Sequence, residues 1–197
     1  VQLVSLKSGI PQKPFKFSAL QGGAHMSQIG TSERLIIRRL DLNDAAFIFQ
    51  LLNQESWLKF IGDKQIYNLS AATKYLMDGP LSMYQQHGFG LFAVERKADG
   101  LVIGLCGLIK RAELADVDIG FAFLDEFSGC GYAYEAALLI KDYAINNLKL
   151  KRLVAIVNPY NQRSIKLLEK IDLHFEALIC MSQDKPCLNL MALNSER

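Results

Sequence analysis

A chain of 197 residues, half of them hydrophobic and 21% charged, has the length and balance of one folded domain. No apolar run approaches the roughly 20 residues that a membrane-spanning helix needs, so no membrane role is expected. The net charge of +2 rests on Lys7, Lys13 and Lys16, the only charges before Met26; without them it becomes −1, which gives no support to nucleic-acid binding.

Residues 1–25 are rich in Gly, Pro, Ser and Lys and hold no sustained period. They run into GGAHM, and His-Met is the residue pair left by a common cloning site. Residues 1–25 are therefore expected to be a cloning-derived or flexible segment, and residues 26–197 a single domain. The start lacks the basic and then apolar pattern of a secretory leader. Cys106, Cys130, Cys180 and Cys187 show no CxxC spacing and no His cluster. Free thiols in a reducing cytoplasm are the plain reading, with no metal site expected.

From Arg34 onward strand and helix patterns alternate. RLIIRRL (34–40) reads as a strand. Residues 41–53 read as a helix capped by Asp41, with Ala45, Phe49 and Leu52 at helical spacing. ESWLKFIG is a short helix or turn. Residues 68–88 read as a helix capped by Ser70 and broken or kinked at Asp78-Gly79-Pro80. Between 89 and 111 two apolar runs flank KADG, whose Asp99-Gly100 signals a hairpin. Residues 116–123 add a third antiparallel strand. A helix is expected over Tyr132–Asn147, a buried strand over 152–158, and a helix over 161–171 with Ile165, Leu168 and Ile171 on one stripe. HFEALICMS and CLNLMALN close as a strand pair. This order gives an α/β (α+β) fold, a mixed sheet with helices on both faces.

SGCGYAYE (128–135) places two glycines before a strong helix. A helix start exposes unpaired N–H groups and the positive end of the dipole, and glycines let a ligand approach closely. A plain strand-to-helix turn needing positive φ would look the same. A Walker loop does not fit. A dinucleotide fingerprint lacks its third glycine, replaced by Tyr134, and no acid falls between Asp142 and Glu169.

The stretch 118–177 resembles the RimJ/RimL branch of the GNAT N-acetyltransferases. Its strand, its glycine turn, its Tyr-Ala-x-Glu-Ala helix start and the later NPYNQRSIKLLEK helix opening follow the family order. The resemblance implies the GNAT acyl-CoA N-acyltransferase fold with a central, mostly antiparallel mixed sheet. It implies acetyl-CoA as co-substrate, its pyrophosphate cradled by Ser128, Gly129, Cys130, Gly131, Tyr132 and Ala133. Backbone around Phe121 and Phe123 would pair with the pantetheine arm where the strand splays from its neighbour. Asn161 would contact the coenzyme while capping its helix. Ser164 would stand near the departing sulfur, as a coenzyme contact and a catalytic residue. Ser128 replaces the usual Gln or Arg, and Asp172-Leu173 replaces the usual Gly-Phe, which suggests a reshaped helix exit.

Acetyl transfer needs a neutral amine. At pH 7 deprotonating a lysine of pKa about 10.4 costs about 4.6 kcal/mol, but an α-amine near 7.8 only about 1 kcal/mol. Glu113, Asp116 and Asp118 lie on or beside the strand facing the thioester; a solvated turn is the plainer reading of Glu113 and Asp116, and Asp118, where this branch often has Glu, is the candidate to take the proton. Trp57, Phe60 and Tyr84 are candidates to shape the acceptor cleft, with core packing the plainer reading of any single one. Cys130 has no His partner, so covalent catalysis is not expected. The expected activity is transfer of acetyl to a primary amine by direct attack, in the cytoplasm, as a monomer or homodimer. The acceptor is a protein N-terminus such as that of a ribosomal protein, or a small-molecule amine or polyamine. The alternative is a non-catalytic acyl-CoA-binding or sensing domain.

Overall fold

The computed structural model describes residues 28–181 and 186–194; the expectation for residues 1–25 lies outside them. Strands β1 (Gln28–Thr31), β2 (Leu35–Arg39), β3 (Leu91–Arg96), β4 (Leu101–Ile109), β5 (Asp118–Phe123), β6 (Arg152–Val157), β7 (His174–Ile179) and β8 (Leu188–Asn194) form one sheet in the order β1-β2-β3-β4-β5-β6-β8-β7. All neighbours pair antiparallel except β5 with β6, which are parallel. The KADG turn joins β3 to β4, with the Gly100 N–H donating to the Arg96 carbonyl at 2.8 Å.

Helices cover both faces. Helix α5 (Tyr132–Asp142), extended by a π-turn over Tyr143–Asn147, lays Ala136, Ala137, Leu139 and Ile140 on one face; α6 (Gln162–Lys170) adds Leu168 to the same core. Against the other face pack α1 (Ala45–Asn53), α2 (Glu55–Phe60) and α3 (Leu69–Leu76), through a second core around Ile48, Leu51, Trp57 and Leu76.

Local differences from the sequence reading have physical reasons. The helix over 68–88 is capped by Asn68, whose side chain accepts the Ala71 N–H at 2.8 Å, and not by Ser70. It does not break at Pro80. A π-turn over Met77–Leu81 absorbs the missing N–H, and the chain continues as α4 (Ser82–His87). Asp41 caps a 3-10 turn that precedes α1; Ile48, Leu51 and Leu52 are the buried residues of α1, and Ala45 and Phe49 pack half-buried against the same core. The exit of α6 is not reshaped. Asp172 takes the left-handed conformation (φ 69°) that a glycine would take, and the Leu173 N–H reaches the Leu168 carbonyl at 3.0 Å, closing a Schellman turn. Cys180 and Cys187 form a disulfide, contrary to the free-thiol reading, because β7 and β8 pair and bring their Cα atoms to 4.2 Å.

Candidate active site

The parallel contact between β5 and β6 is a single bridge, Asp118 with Val154, supported by the Val154 N–H donating to the Val117 carbonyl at 3.1 Å. Beyond it the strands part. The pairing of β5 with β4 fixes which backbone groups face the gap. The Leu124 N–H bonds the Ile103 carbonyl, so alternate residues back along β5 (122, 120 and 118) also turn to β4. Phe121 and Phe123 therefore turn their amides to the open side. The Phe123 carbonyl is taken by Gln54 Nε2 at 2.7 Å, while Gln54 Oε1 accepts the Asp125 N–H at 3.1 Å. The Phe123 ring packs over Gly104, where a Cβ would come within 2.4 Å of it.

A cleft of about 690 Å³ opens at this parting. It takes in Asp118, Phe121, Asn161 and Ser164, with Trp57 and Phe60 on the far wall. Tyr84 does not line it; its hydroxyl accepts the Leu40 N–H at 3.1 Å and donates to the Leu91 carbonyl, a core role. Asp116 is also elsewhere, ion-paired with Arg152 at 2.9 Å. Glu113 lines the cleft from an exposed loop.

Past the end of β5 comes the glycine turn, outside the cleft proper. Ser128, Gly129, Cys130 and Gly131 are exposed, and Tyr132 and Ala133 begin α5 half-buried. Gly129 and Gly131 both have positive φ, 79° and 83°. A Cβ on Gly129 would meet nothing within 4 Å, so the turn has room above it for a ligand. Arg34 braces the turn from β2's approach: its Nη1 donates to the Cys130 carbonyl at 3.0 Å, and its guanidinium lies 4.5 Å from the Tyr132 ring centre. Glu135 holds Arg34 in place, with Oε2 accepting Nε at 2.7 Å and Oε1 accepting the Arg34 N–H at 3.1 Å and the Ser32 hydroxyl at 2.5 Å.

Asn161 caps α6 through the Ser164 N–H at 3.1 Å. The Ser164 hydroxyl takes no hydrogen bond among the described residues and lines the cleft. Asp118 is 1% exposed, and its Oδ1 accepts Arg111 Nε at 3.0 Å. Burial pushes its carboxyl above the usual range, with Arg111 acting in the opposite direction. Of the two free thiols, Cys130 is exposed, while burial pushes the Cys106 thiol up and out of the reactive range. Among the described residues no three His, Cys, Asp or Glu side chains are grouped to hold a metal.

Sequence reasoning missed Arg34, Gln54, Arg111 and Tyr75. Glu135 stood inside the quoted helix start, but its partners lie about a hundred residues upstream, and no local pattern announces them.

The model of the acetyltransferase (GNAT) domain family matches residues 34–174. The N-acetyltransferase p20 of Bacillus licheniformis is 31% identical over 150 residues, covering 75% of this chain and 83% of that protein. An acetyltransferase from Agrobacterium tumefaciens superposes with a TM-score of 0.72 at 21% identity, covering 91% of this chain and 99% of that one. RimL, a ribosomal α-N-protein acetyltransferase in complex with coenzyme A, superposes at 0.71 and 16% identity, covering 84% and 97%.

Proposed function

The chain belongs to the GNAT acetyltransferases and is an acetyl-CoA-dependent N-acetyltransferase; on that footing we propose that it acetylates a primary amine by direct attack in the cleft between β5 and β6. The observation that carries this reading is the parting of the two strands after Asp118 and Val154, which leaves a strand edge free inside a cleft.

The residues fit the coenzyme. The exposed amides of Gly129 to Ala133 and the N-terminus of α5 suit a pyrophosphate, and Arg34 adds positive charge beside them. Ser128 in place of a longer polar side chain leaves those amides available. The edge of β5 at Phe121, and the N–H of Phe123, suit the pantetheine amides. Asn161 spends its carbonyl oxygen on the cap and keeps its NH₂ for the coenzyme.

In this reading the amine nitrogen forms a bond to the acetyl carbon and the carbon–sulfur bond breaks. Ser164 gives its hydroxyl proton to the departing sulfur and regains one from solvent, to which Asp118 releases the proton it has taken. Asp118, whose carboxyl burial holds above the usual aspartate range, receives as the carboxylate the proton that the amine sheds, directly or through a water. The products are the acetamide and free coenzyme A. A protein N-terminal α-amine is the first acceptor to test, followed by small-molecule amines, because the α-amine is the easier to deprotonate.

The test is calorimetric titration of acetyl-CoA, with NADH as control, followed by a mass-spectrometric amine screen. Wild type should bind acetyl-CoA alone. Gly131→Val should abolish binding, since its backbone has positive φ and a Cβ there would come to 3.4 Å from Arg34 Nη2. Equal binding by that variant would remove the turn from the coenzyme site.

A further inference from the structure

We infer that the cleft selects its acceptor through Arg111 and Tyr75, and that the amine it acetylates carries an oxyanion a few bonds away. The inference rests on the acetyltransferase reading and narrows its acceptor.

Arg111 leaves the end of β4 and turns its side chain into the cleft. Asp118 holds it by one edge only, through Nε at 3.0 Å. Among the described residues the two terminal guanidinium nitrogens have no hydrogen-bond partner, and the side chain is one-third exposed (33%). A buried carboxylate at the rear therefore fixes the plane of a guanidinium whose forked front faces open space. That fork matches a carboxylate or phosphate through two parallel N–H···O bonds.

Tyr75, on α3, lines the same cleft. Its side chain is half-buried against the core around α1 and α3, and its hydroxyl, which makes no hydrogen bond among the described residues, lies within electrostatic reach of Arg111. Burial pushes the phenol up, so it stays a neutral donor at working pH. A hydroxyl that no protein group takes can donate to a ligand oxyanion resting on Arg111.

The remaining charges lining the cleft define the other end of the acceptor. Glu113 is exposed there and suits an incoming ammonium. A diamine or polyamine with one amine placed for attack would bring its second ammonium against the guanidinium of Arg111. An amine carrying an oxyanion meets complementary charge at both ends.

The test measures kcat/KM by mass spectrometry for amines of matched length: 4-aminobutanoate and 3-aminopropyl phosphate against butylamine and 1,4-diaminobutane. A second arm compares the C-terminally amidated peptides Ser-Glu-Ala-Gly and Ser-Gln-Ala-Gly. The oxyanion-bearing members should lead by roughly 10- to 100-fold, the worth of hydrogen bonds to a charged group. A lead confined to the small amines identifies a free metabolite, and one confined to the peptides an acidic N-terminus. Arg111→Gln and Tyr75→Phe should shrink the lead while the acetyl-CoA Kd stays within about twofold. Tyr75→Phe leaves the Arg111–Asp118 pair intact and so remains informative if the Arg111 variant fails to fold. Butylamine or the diamine matching the oxyanion amines, or a lead surviving both variants, would overturn the inference. If acetyl-CoA binds but no amine turns over, binding of N-acetyl-4-aminobutanoate against N-butylacetamide with CoA present decides, and equal affinities reject the oxyanion. Failure of wild type to bind acetyl-CoA would remove the acetyltransferase reading itself, and this inference with it.

Discussion

Glu135 on the first turn of α5 and Arg34 ahead of β2 meet through an ion pair of 2.6 Å, and the same carboxylate also accepts the Arg34 N–H and the Ser32 hydroxyl. One side chain thus ties the start of the helix to the sheet, and Arg34 carries the tie onward to the Cys130 carbonyl inside the glycine turn. The open geometry of that turn is held by residues that do not belong to it.

Glu135→Ala should therefore weaken two properties together. Stability should fall by about 1–2 kcal/mol, mostly from the donors left unpaired, because the ion pair itself is partly solvated and screened. Acetyl-CoA affinity should fall as well, since the turn loses its brace. Urea unfolding and calorimetry read the two effects separately. The double variant with Arg34→Ala should cost less than the two singles combined, as expected for one shared network. Strict additivity would mean that the brace is not one unit.

Much of the fold was legible because strand and helix periods are local. The Asp99-Gly100 hairpin, the buried strand over 152–157 and the stripe on α6 all follow from residues within ten positions of one another. The glycine turn was legible for the same reason. What escaped is set by partners distant in sequence. Strand β1 is only four residues long and gains its register from β2. Tyr84 reads as a cleft or a core aromatic, and Leu40 and Leu91, which close on its hydroxyl, decide for the core. Asp118 reads as a free carboxylate until the loop between β4 and β5 folds Arg111 back over it. Pro80 shows that even a strong local breaker yields when the flanking turns are anchored by Ala72, Leu76 and Tyr84 in the core.

Ser164→Ala separates binding from chemistry. The Asn161 cap uses the Ser164 backbone N–H, not its hydroxyl, so the helix start survives the substitution. The acetyl-CoA Kd should stay within about twofold, while kcat falls by roughly 10²-fold for loss of a positioned proton donor. Unchanged turnover would take Ser164 out of the mechanism and leave water to protonate the thiolate.

Asp118 predicts opposite pH trends for stability and activity. Desolvation raises its carboxyl in the folded state above the unfolded value of about 3.9, with Arg111 only partly offsetting this. The folded state therefore holds the proton more tightly than the unfolded chain does. Its contribution to stability is fully present below the unfolded pKa and is lost as pH rises through the raised folded pKa. Activity should rise across the same window as the carboxylate becomes able to accept a proton. Relative to Asp118→Asn, wild type should lose unfolding free energy with rising pH and then level off. Its kcat/KM should show an acid limb displaced above the ordinary aspartate range. An acid limb that persists in Asp118→Asn would assign the proton to another group and leave Asp118 only the task of positioning Arg111.

The disulfide between Cys180 and Cys187 staples the loop joining β7 to β8, and its neighbours Met181 and Pro186 line the cleft. Closing so short a loop restricts the unfolded chain by about 2–3 kcal/mol on the chain-entropy account. For a domain of this size that corresponds to a loss of roughly 5–10 °C in Tm on reduction. Melting curves with and without reductant test this, with the Cys180→Ser/Cys187→Ser double variant as the control that reductant should not shift. The double variant should melt where reduced wild type does. Because the stapled ends form part of the cleft wall, the KM for the amine should rise on reduction more than the Kd for acetyl-CoA. Identical melting with and without reductant, together with four titratable thiols in the unfolded protein, would mean that the two cysteines sit in contact without a bond.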